Sequence, residues 1–168
     1  SLGGYVAQYF AATRPDLVDN LIAANTLPAV AFLKSIPPYS ADLDALPSDE
    51  LMLGFSSGLT QWAEDEPNCA DLAELLLADV AGRIPAPELP ARLNALKHGP
   101  ALPKQALDRA HIFTVESQDD RLIPEPIRAA VRQRLNPHRS EVFEKGSHFP
   151  YITEAARYTK MIRKIMKL

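Results

Sequence analysis

The side chains best suited to chemistry in this sequence are a serine, an aspartate and a histidine, which occur in that order along the chain. Ser1 begins the segment Ser1-Leu2-Gly3-Gly4 ahead of a predicted helix, Asp120 follows a predicted strand, and His148 follows the next predicted strand. Histidine serves as a general base near neutral pH, and a carboxylate that orients its ring helps it to activate a serine hydroxyl. The three residues together predict covalent catalysis by acyl transfer.

Each of the three also has a simpler structural interpretation. Ser-x-Gly before a helix is equally typical of an N-cap followed by flexible glycines. Asp119 and Asp120 can form a solvated turn or cap the next helix, and His148 can be a surface or packing residue. Their shared place at strand-to-helix junctions favours catalysis, because parallel strands bring such loops to one edge of a sheet. The other histidines lack this setting and are interpreted as surface or packing residues: His98, His111 and His138.

Another serine lies in a more complete match to a nucleophile motif. Gly54-Phe55-Ser56-Ser57-Gly58 fits the pattern G-x-S-x-G, in which the serine occupies a sharp turn between a strand and a helix. Such a turn needs a buried strand before it, and only Leu51-Met52-Leu53 precedes this one. We therefore interpret Ser56 as part of an insertion and not as the nucleophile.

The elements that must position these residues predict an α/β fold. Apolar spacing and the placement of prolines predict helices over 3–12, 125–135 and 152–167, and strands within 17–25, at 111–115 and at 141–144. Strands that alternate with helices imply parallel pairing through right-handed crossovers.

The middle of the chain has a different character, with many prolines between short apolar segments. Helical periodicity over 70–80 and 89–96 predicts an insertion made of helices. The predicted organisation is a core segment 1–26 with the nucleophile turn, a helical lid 27–108, and a C-terminal core segment 109–168 with the acid and histidine loops.

Composition narrows the classes of partner. The chain is 46% hydrophobic and 23% charged with a net charge of −3, which is ordinary for a globular protein and gives no reason to expect nucleic acid. The single cysteine, Cys69, has no partner for an intramolecular disulfide and no histidine at a metal-ligand spacing. We expect no metal, no membrane span and a cytoplasmic location.

The sequence resembles the α/β-hydrolase superfamily through Ser1-Leu2-Gly3-Gly4-Tyr5-Val6-Ala7-Gln8, Asp120-Arg121-Leu122-Ile123-Pro124 and Gly146-Ser147-His148-Phe149-Pro150-Tyr151. The chain order serine, aspartate, histidine is also the order of that superfamily. Within it, the sequence is most similar to maspardin-type proteins. That closer similarity rests on Ser1-Leu2-Gly3-Gly4, Leu27-Pro28-Ala29, Gly54-Phe55-Ser56-Ser57-Gly58 and Phe149-Pro150-Tyr151.

The resemblance implies a role for each residue. Ser1 is the nucleophile, Asp120 the acid and His148 the base, and the backbone N–H of Leu2 is one oxyanion-hole donor. Asp120 is preferred to Asp119 because it is in register with the D-x-x-I-P pattern. A carboxylic ester is the default substrate, no cofactor is required, and amide, peptide, lactone and carbon–carbon bond cleavage stay open.

The insertion carries the candidates for substrate contacts. Its apolar side chains suit a small hydrophobic acyl group, although they can equally pack the lid on the body. The residues that we select are Phe32, Phe55 and Trp62.

The closer similarity implies a competing function. Animal maspardins lack a histidine at the position of His148 and are regarded as binding proteins, which implies a non-catalytic module that binds a partner protein. The basic last helix could belong to such a surface, although a solvated helix face explains it equally well. His148 is present here, and this favours the enzyme.

The start of the motif implies that residues are missing upstream. Its leading glycine is absent, and we expect the second oxyanion-hole donor and any targeting signal to lie before Ser1. A complete α/β-hydrolase has more strands than the three recognisable here. We therefore expect the isolated chain to expose a strand edge, to be unstable or self-associating, and to be poorly active.

Overall fold

The computed structural model describes residues 1–167, without the side chains of residues 35, 68 and 81. Seven α-helices and three strands lie within this part of the chain. In chain order they are α1 Leu2–Thr13, β1 Leu21–Ala24, α2 Ser48–Asp65, α3 Ala70–Arg83, α4 Leu89–Lys97, β2 Ile112–Ser117, α5 Glu125–Leu135, β3 Arg139–Phe143, α6 Pro150–Thr153 and α7 Ala155–Met166.

The three strands form one parallel sheet in the order β1-β2-β3. Ala23 pairs with Thr114, and Thr114 pairs in turn with Ser140. Every residue of the central strand β2 is buried, as expected of a parallel strand with neighbours on both sides. The predicted α/β fold with three parallel strands and flanking helices is thereby confirmed, and the carboxyl ends of all three strands lie at one edge.

The chain divides into two compact units, 1–32 with 101–168, and 33–100. The first unit contains the sheet. One of its clusters joins α1, β1, β2 and α5 through residues such as Ala11, Leu21 and Leu135. A second cluster packs α7 on the sheet through Met161 and Phe143.

The second unit is helical. Its core cluster is formed by Leu43, Leu51 and Leu89, which come from a loop, α2 and α4. Ser56 lies in the interior of α2, so the prediction that it does not occupy a strand-to-helix turn is confirmed. No helix in residues 1–167 is both long and apolar enough to cross a bilayer.

Two predicted elements differ in their extent. The strand expected within 17–25 is limited to Leu21–Ala24, because Pro15–Leu17 forms a 3₁₀ turn. The last predicted helix is two helices, α6 and α7, separated at Glu154, whose φ is −124°. Thr153 explains the break, because its hydroxyl donates to the carbonyl of Gly146 at 2.8 Å and ties the short helix to the preceding loop.

Candidate active site

A buried pair of acid and histidine lies at the carboxyl edge of the sheet. The loop after β2 (residues 118–124, the acid loop) carries Asp120, and the loop after β3 (residues 144–149, the histidine loop) carries His148. Nδ1 of His148 lies 2.9 Å from Oδ2 and 3.1 Å from Oδ1 of Asp120. The side chain of Asp120 is fully buried and that of His148 is 5% exposed. Because Nδ1 is engaged, Nε2 is the ring nitrogen that can exchange a proton with another group.

Several donors converge on the Asp120 carboxylate. Its Oδ1 accepts from the backbone N–H groups of Leu122 and Ile123 at 2.9 and 3.0 Å, and its Oδ2 accepts from the side-chain amide of Asn25 at 2.9 Å. Burial alone would raise the pKa of Asp120, but the hydrogen bonds from His148, Asn25 and Ile123 and the charge of His148 together lower it. The carboxylate is therefore held ionised beside the imidazole.

The neighbouring aspartate has a different task. Oδ1 of Asp119 accepts from the backbone N–H groups of Gly146 and Ser147 at 3.0 and 2.9 Å. Asp119 thus joins the acid loop to the backbone of the histidine loop, whereas Asp120 contacts the imidazole itself.

Close packing around Gly146 fixes the backbone of the histidine loop. A Cβ atom on Gly146 would lie 2.5 Å from the hydroxyl of Ser117 and 3.0 Å from side-chain atoms of Phe143 and Pro150. Only glycine fits this position without displacement of its neighbours. Ser147, the next residue, has a positive φ of 48°, a conformation that non-glycine residues rarely adopt. The backbone before His148 is therefore tightly constrained.

Ser1 lies at the same edge of the sheet, at the start of α1. Its backbone nitrogen donates to the carbonyl of Ala24 at 3.1 Å, and its carbonyl accepts from the hydroxyl of Thr26 at 2.8 Å. The residue as a whole is exposed, and these contacts place its backbone beside the end of β1.

Gly4 permits this close approach of α1 to β1. A Cβ atom on Gly4 would lie 2.7 Å from Cβ of Thr26 and 3.1 Å from the carbonyl oxygen of Ala24, whereas a Cβ atom on Gly3 would meet nothing within 4 Å. Gly3 is the glycine of the Ser-x-Gly motif, and Gly4 directly follows it. The close approach of α1 to β1 therefore depends on Gly4 and not on Gly3.

The other predicted site residues lie in both units. Leu2 is the first residue of α1, so its N–H is among those that a helix leaves without an intrahelical partner. Phe32 belongs to a short 3₁₀ segment of the first unit, while Phe55 and Trp62 belong to α2 of the second. Phe32 and Phe55 are 38% and 44% exposed. Their contact with substrate stays a prediction.

Sequence reasoning missed Asn25, which occupies the third strand end at this edge. A signal was available, because Asn25 directly follows the apolar core of a predicted strand, as polar groups of the other two loops do. The tasks of Asp119, Gly146 and Ser147 depend on contacts between loops and have no local signature.

A sheet of three parallel strands with helices around it and polar loops at its carboxyl edge is an α/β arrangement that several enzyme folds share. Comparison with solved structures shows which of them it is similar to: a point mutant of an epoxide hydrolase from Bacillus megaterium, in complex with its product, superposes with a TM-score of 0.51 at 14% identity. A Bacillus megaterium epoxide hydrolase in complex with an inhibitor superposes with a TM-score of 0.50 at 13% identity. The match covers all of this chain and 67% of each of those chains. No protein-family model and no curated protein matches the sequence.

Proposed function

We propose that this chain carries the catalytic residues of a serine hydrolase that acts on a carboxylic ester or a related acyl compound. Ser1 is the nucleophile, His148 the general base and Asp120 the acid that orients the imidazole. The observation that carries the proposal is the buried hydrogen bond of 2.9 Å between Asp120 and His148, at the edge of the sheet where Ser1 begins α1.

The mechanism follows from which atoms are engaged. The hydrogen bond from Nδ1 to Asp120 keeps the imidazole proton on Nδ1, so Nε2 has a lone pair to accept the proton of the Ser1 hydroxyl. The serine oxygen attacks the acyl carbon, and His148 then gives the proton to the departing alcohol. Water repeats the sequence on the acyl-enzyme, with His148 again as base, and releases the acid and free Ser1.

The start of α1 is the proposed source of electrostatic stabilisation for the tetrahedral intermediate. The N–H of Leu2 points from the first turn of α1, where the helix also presents its positive end. We propose that it donates to the oxyanion of the tetrahedral intermediate, an effect worth roughly 3 kcal/mol per donor in enzymes of this kind.

The nucleophile separates this proposal from the activity of the structural neighbours. Those proteins are epoxide hydrolases. A serine oxygen that opened an epoxide would form an ether, which water does not cleave readily, whereas the same oxygen on an acyl carbon forms an ester that water hydrolyses. Ser1 therefore supports acyl transfer over epoxide opening, and the neighbours support the fold alone.

Covalent labelling with a fluorophosphonate tests the proposal, since the reagent phosphonylates an activated serine. We compare the wild-type protein, expressed together with the segment expected before Ser1, with its variants Ser1→Ala, His148→Ala and Ser56→Ala, each checked for folding by circular dichroism. Ser56 is the matched control, because it is a serine in a G-x-S-x-G sequence that lies inside a helix. Loss of labelling in Ser1→Ala and His148→Ala, with retention in Ser56→Ala, is expected.

Two results would overturn the proposal. Loss of labelling in Ser56→Ala alone would move the nucleophile to α2. A folded wild-type protein that reacts with no fluorophosphonate would favour the non-catalytic binding module, which a search for protein partners would then address.

A further inference from the structure

Asn25 is the first residue after β1 and is almost fully buried at the carboxyl edge of the sheet, with 4% of its surface exposed. Its side-chain Nδ2 donates to Oδ2 of Asp120 at 2.9 Å. Longer contacts of 3.3 and 3.4 Å join the same nitrogen to the hydroxyl of Ser117 and the carbonyl of Ser147. One amide nitrogen thus faces the ends of all three strands.

The orientation of this amide is set by the carboxylate. Nδ2 faces Asp120, while Oδ1 of Asn25 is buried and has no hydrogen-bond partner among the residues described. A buried acceptor without a partner is unfavourable. The reverse orientation would bring Oδ1 against a negative carboxylate. The hydrogen bond to Asp120 therefore determines the orientation of the Asn25 amide.

The backbone of Asn25 carries a second unfavourable feature. Its φ is 41°, in the left-handed region where asparagine is tolerated better than most residues. Ser147, whose carbonyl lies within reach of the same amide, also has a positive φ. Strained backbone on both sides of a buried acid and histidine is typical of a site whose geometry is fixed for chemistry.

We propose that Asn25 is a positioning residue of the triad, whose side-chain amide holds the Asp120 carboxylate in place and keeps the His148 proton on Nδ1. Oδ2 of Asp120 accepts from both Asn25 and His148. A donor already bound to that oxygen makes it a weaker base, so the proton shared with the imidazole stays on nitrogen. Asn25 acts through Asp120 and does not contact the substrate.

Asn25→Gly tests the inference, because glycine removes the amide and accepts the positive φ without strain. Asn136→Gly is the matched control: Asn136 has a φ of 43° and is exposed at the end of α5, so the same substitution occurs in the same backbone conformation. We expect the rate of fluorophosphonate labelling to fall about 10- to 100-fold in Asn25→Gly, the value of one hydrogen bond to a charged group. Asn136→Gly should label at the wild-type rate.

Asn25→Asp tests whether the Asn25 side chain is needed as a hydrogen-bond donor or only for packing. The new side chain has the same shape but presents an acceptor to Asp120, so labelling should fall further than in Asn25→Gly. A purely structural role predicts the opposite order, with the isosteric variant close to wild type. That order would overturn the inference. If Asn25→Gly fails to fold, the labelling rate of Asn25→Asp relative to wild type still tests the inference.

The kinetic readout rests on the proposed function, so a second readout is independent of catalysis. The low-field NMR signal of the His148 Nδ1 proton reports the hydrogen bond to Asp120 directly. We expect it to shift or broaden in Asn25→Gly and to be unchanged in Asn136→Gly. A wild-type protein that does not label but shows this dependence refutes the hydrolase and supports the positioning role. Wild-type labelling with an unchanged signal and rate in Asn25→Gly refutes the positioning role alone.

Discussion

Replacing Asp120 by asparagine changes which atoms of the site carry protons while it leaves their shape almost unchanged. Oδ1 accepts two backbone N–H groups from the acid loop, so the new amide oxygen is expected to occupy that position. The new NH₂ group then replaces Oδ2, where it faces Nδ1 of His148 and Nδ2 of Asn25, both at 2.9 Å in the wild-type protein.

His148 can accommodate this donor only by moving its own proton. Nδ1 becomes an acceptor, Nε2 carries the proton, and the imidazole can no longer take the proton of Ser1. A histidine held in the wrong tautomer reduces turnover by about 10⁴-fold in Ser-His-Asp hydrolases, which corresponds to about 5 kcal/mol. The effect on stability is smaller, because only hydrogen bonds to one charged oxygen are weakened, and we expect a loss of about 1–3 kcal/mol.

Asp119→Asn provides the control within the same loop. The Oδ1 atom that binds the N–H groups of Gly146 and Ser147 has an equivalent in asparagine, so both bonds are retained. The labelling rate should stay within about tenfold of wild type, since only the charge assistance of two bonds is lost. Denaturant unfolding and fluorophosphonate labelling rates are measured for both variants. A fast Asp120→Asn together with a slow Asp119→Asn would show that the wrong carboxylate has been taken as the acid.

Three further predictions concern packing and pH. Gly146→Ala should lower the free energy of unfolding by about 1–3 kcal/mol and slow labelling, because the Cβ of the new alanine would lie 2.5 Å from the Ser117 hydroxyl. A variant as stable as wild type would contradict the packing described. Gly4→Ala should be similarly destabilising. Gly3→Ala has open space around its new Cβ, so in a helix it should be neutral or stabilising by up to about 1 kcal/mol. Equal thermal midpoints for the two variants would refute this contrast. The Asp120 pKa lies below its ordinary value of 3.8 in the folded protein, so its contribution to stability is full above that pH and is lost as the pH falls through the folded-state pKa. Unfolding measured between pH 7 and pH 2 should therefore show a steeper acid loss in wild type than in Asp120→Asn, and identical slopes would count against a lowered pKa.

Local sequence patterns were sufficient for most of the architecture. Three features depend on neighbours in the chain: the β-branched and aromatic residues at the start of β2, the helix that begins after Pro124, and the alternation of strands with helices. The same patterns predicted that Ser56 does not occupy a strand-to-helix turn, because such a turn needs a strand before it. They were weakest at element ends, where the hydroxyl of Thr153 and the turn at Pro15 decided the boundaries.

The tertiary structure decided how the three strand ends meet. The amide of Asn25 reaches Asp120, 95 residues further along the chain, only because β1 pairs with β2 in the observed register. The pairing of β2 with β3 likewise sets the histidine loop beside the acid loop, which gives Asp120 the imidazole and Asp119 the backbone. The sequence determined which residue types stand at each strand end. Their distances, burial and shared protons arise from lateral pairing of distant segments, which no local pattern encodes.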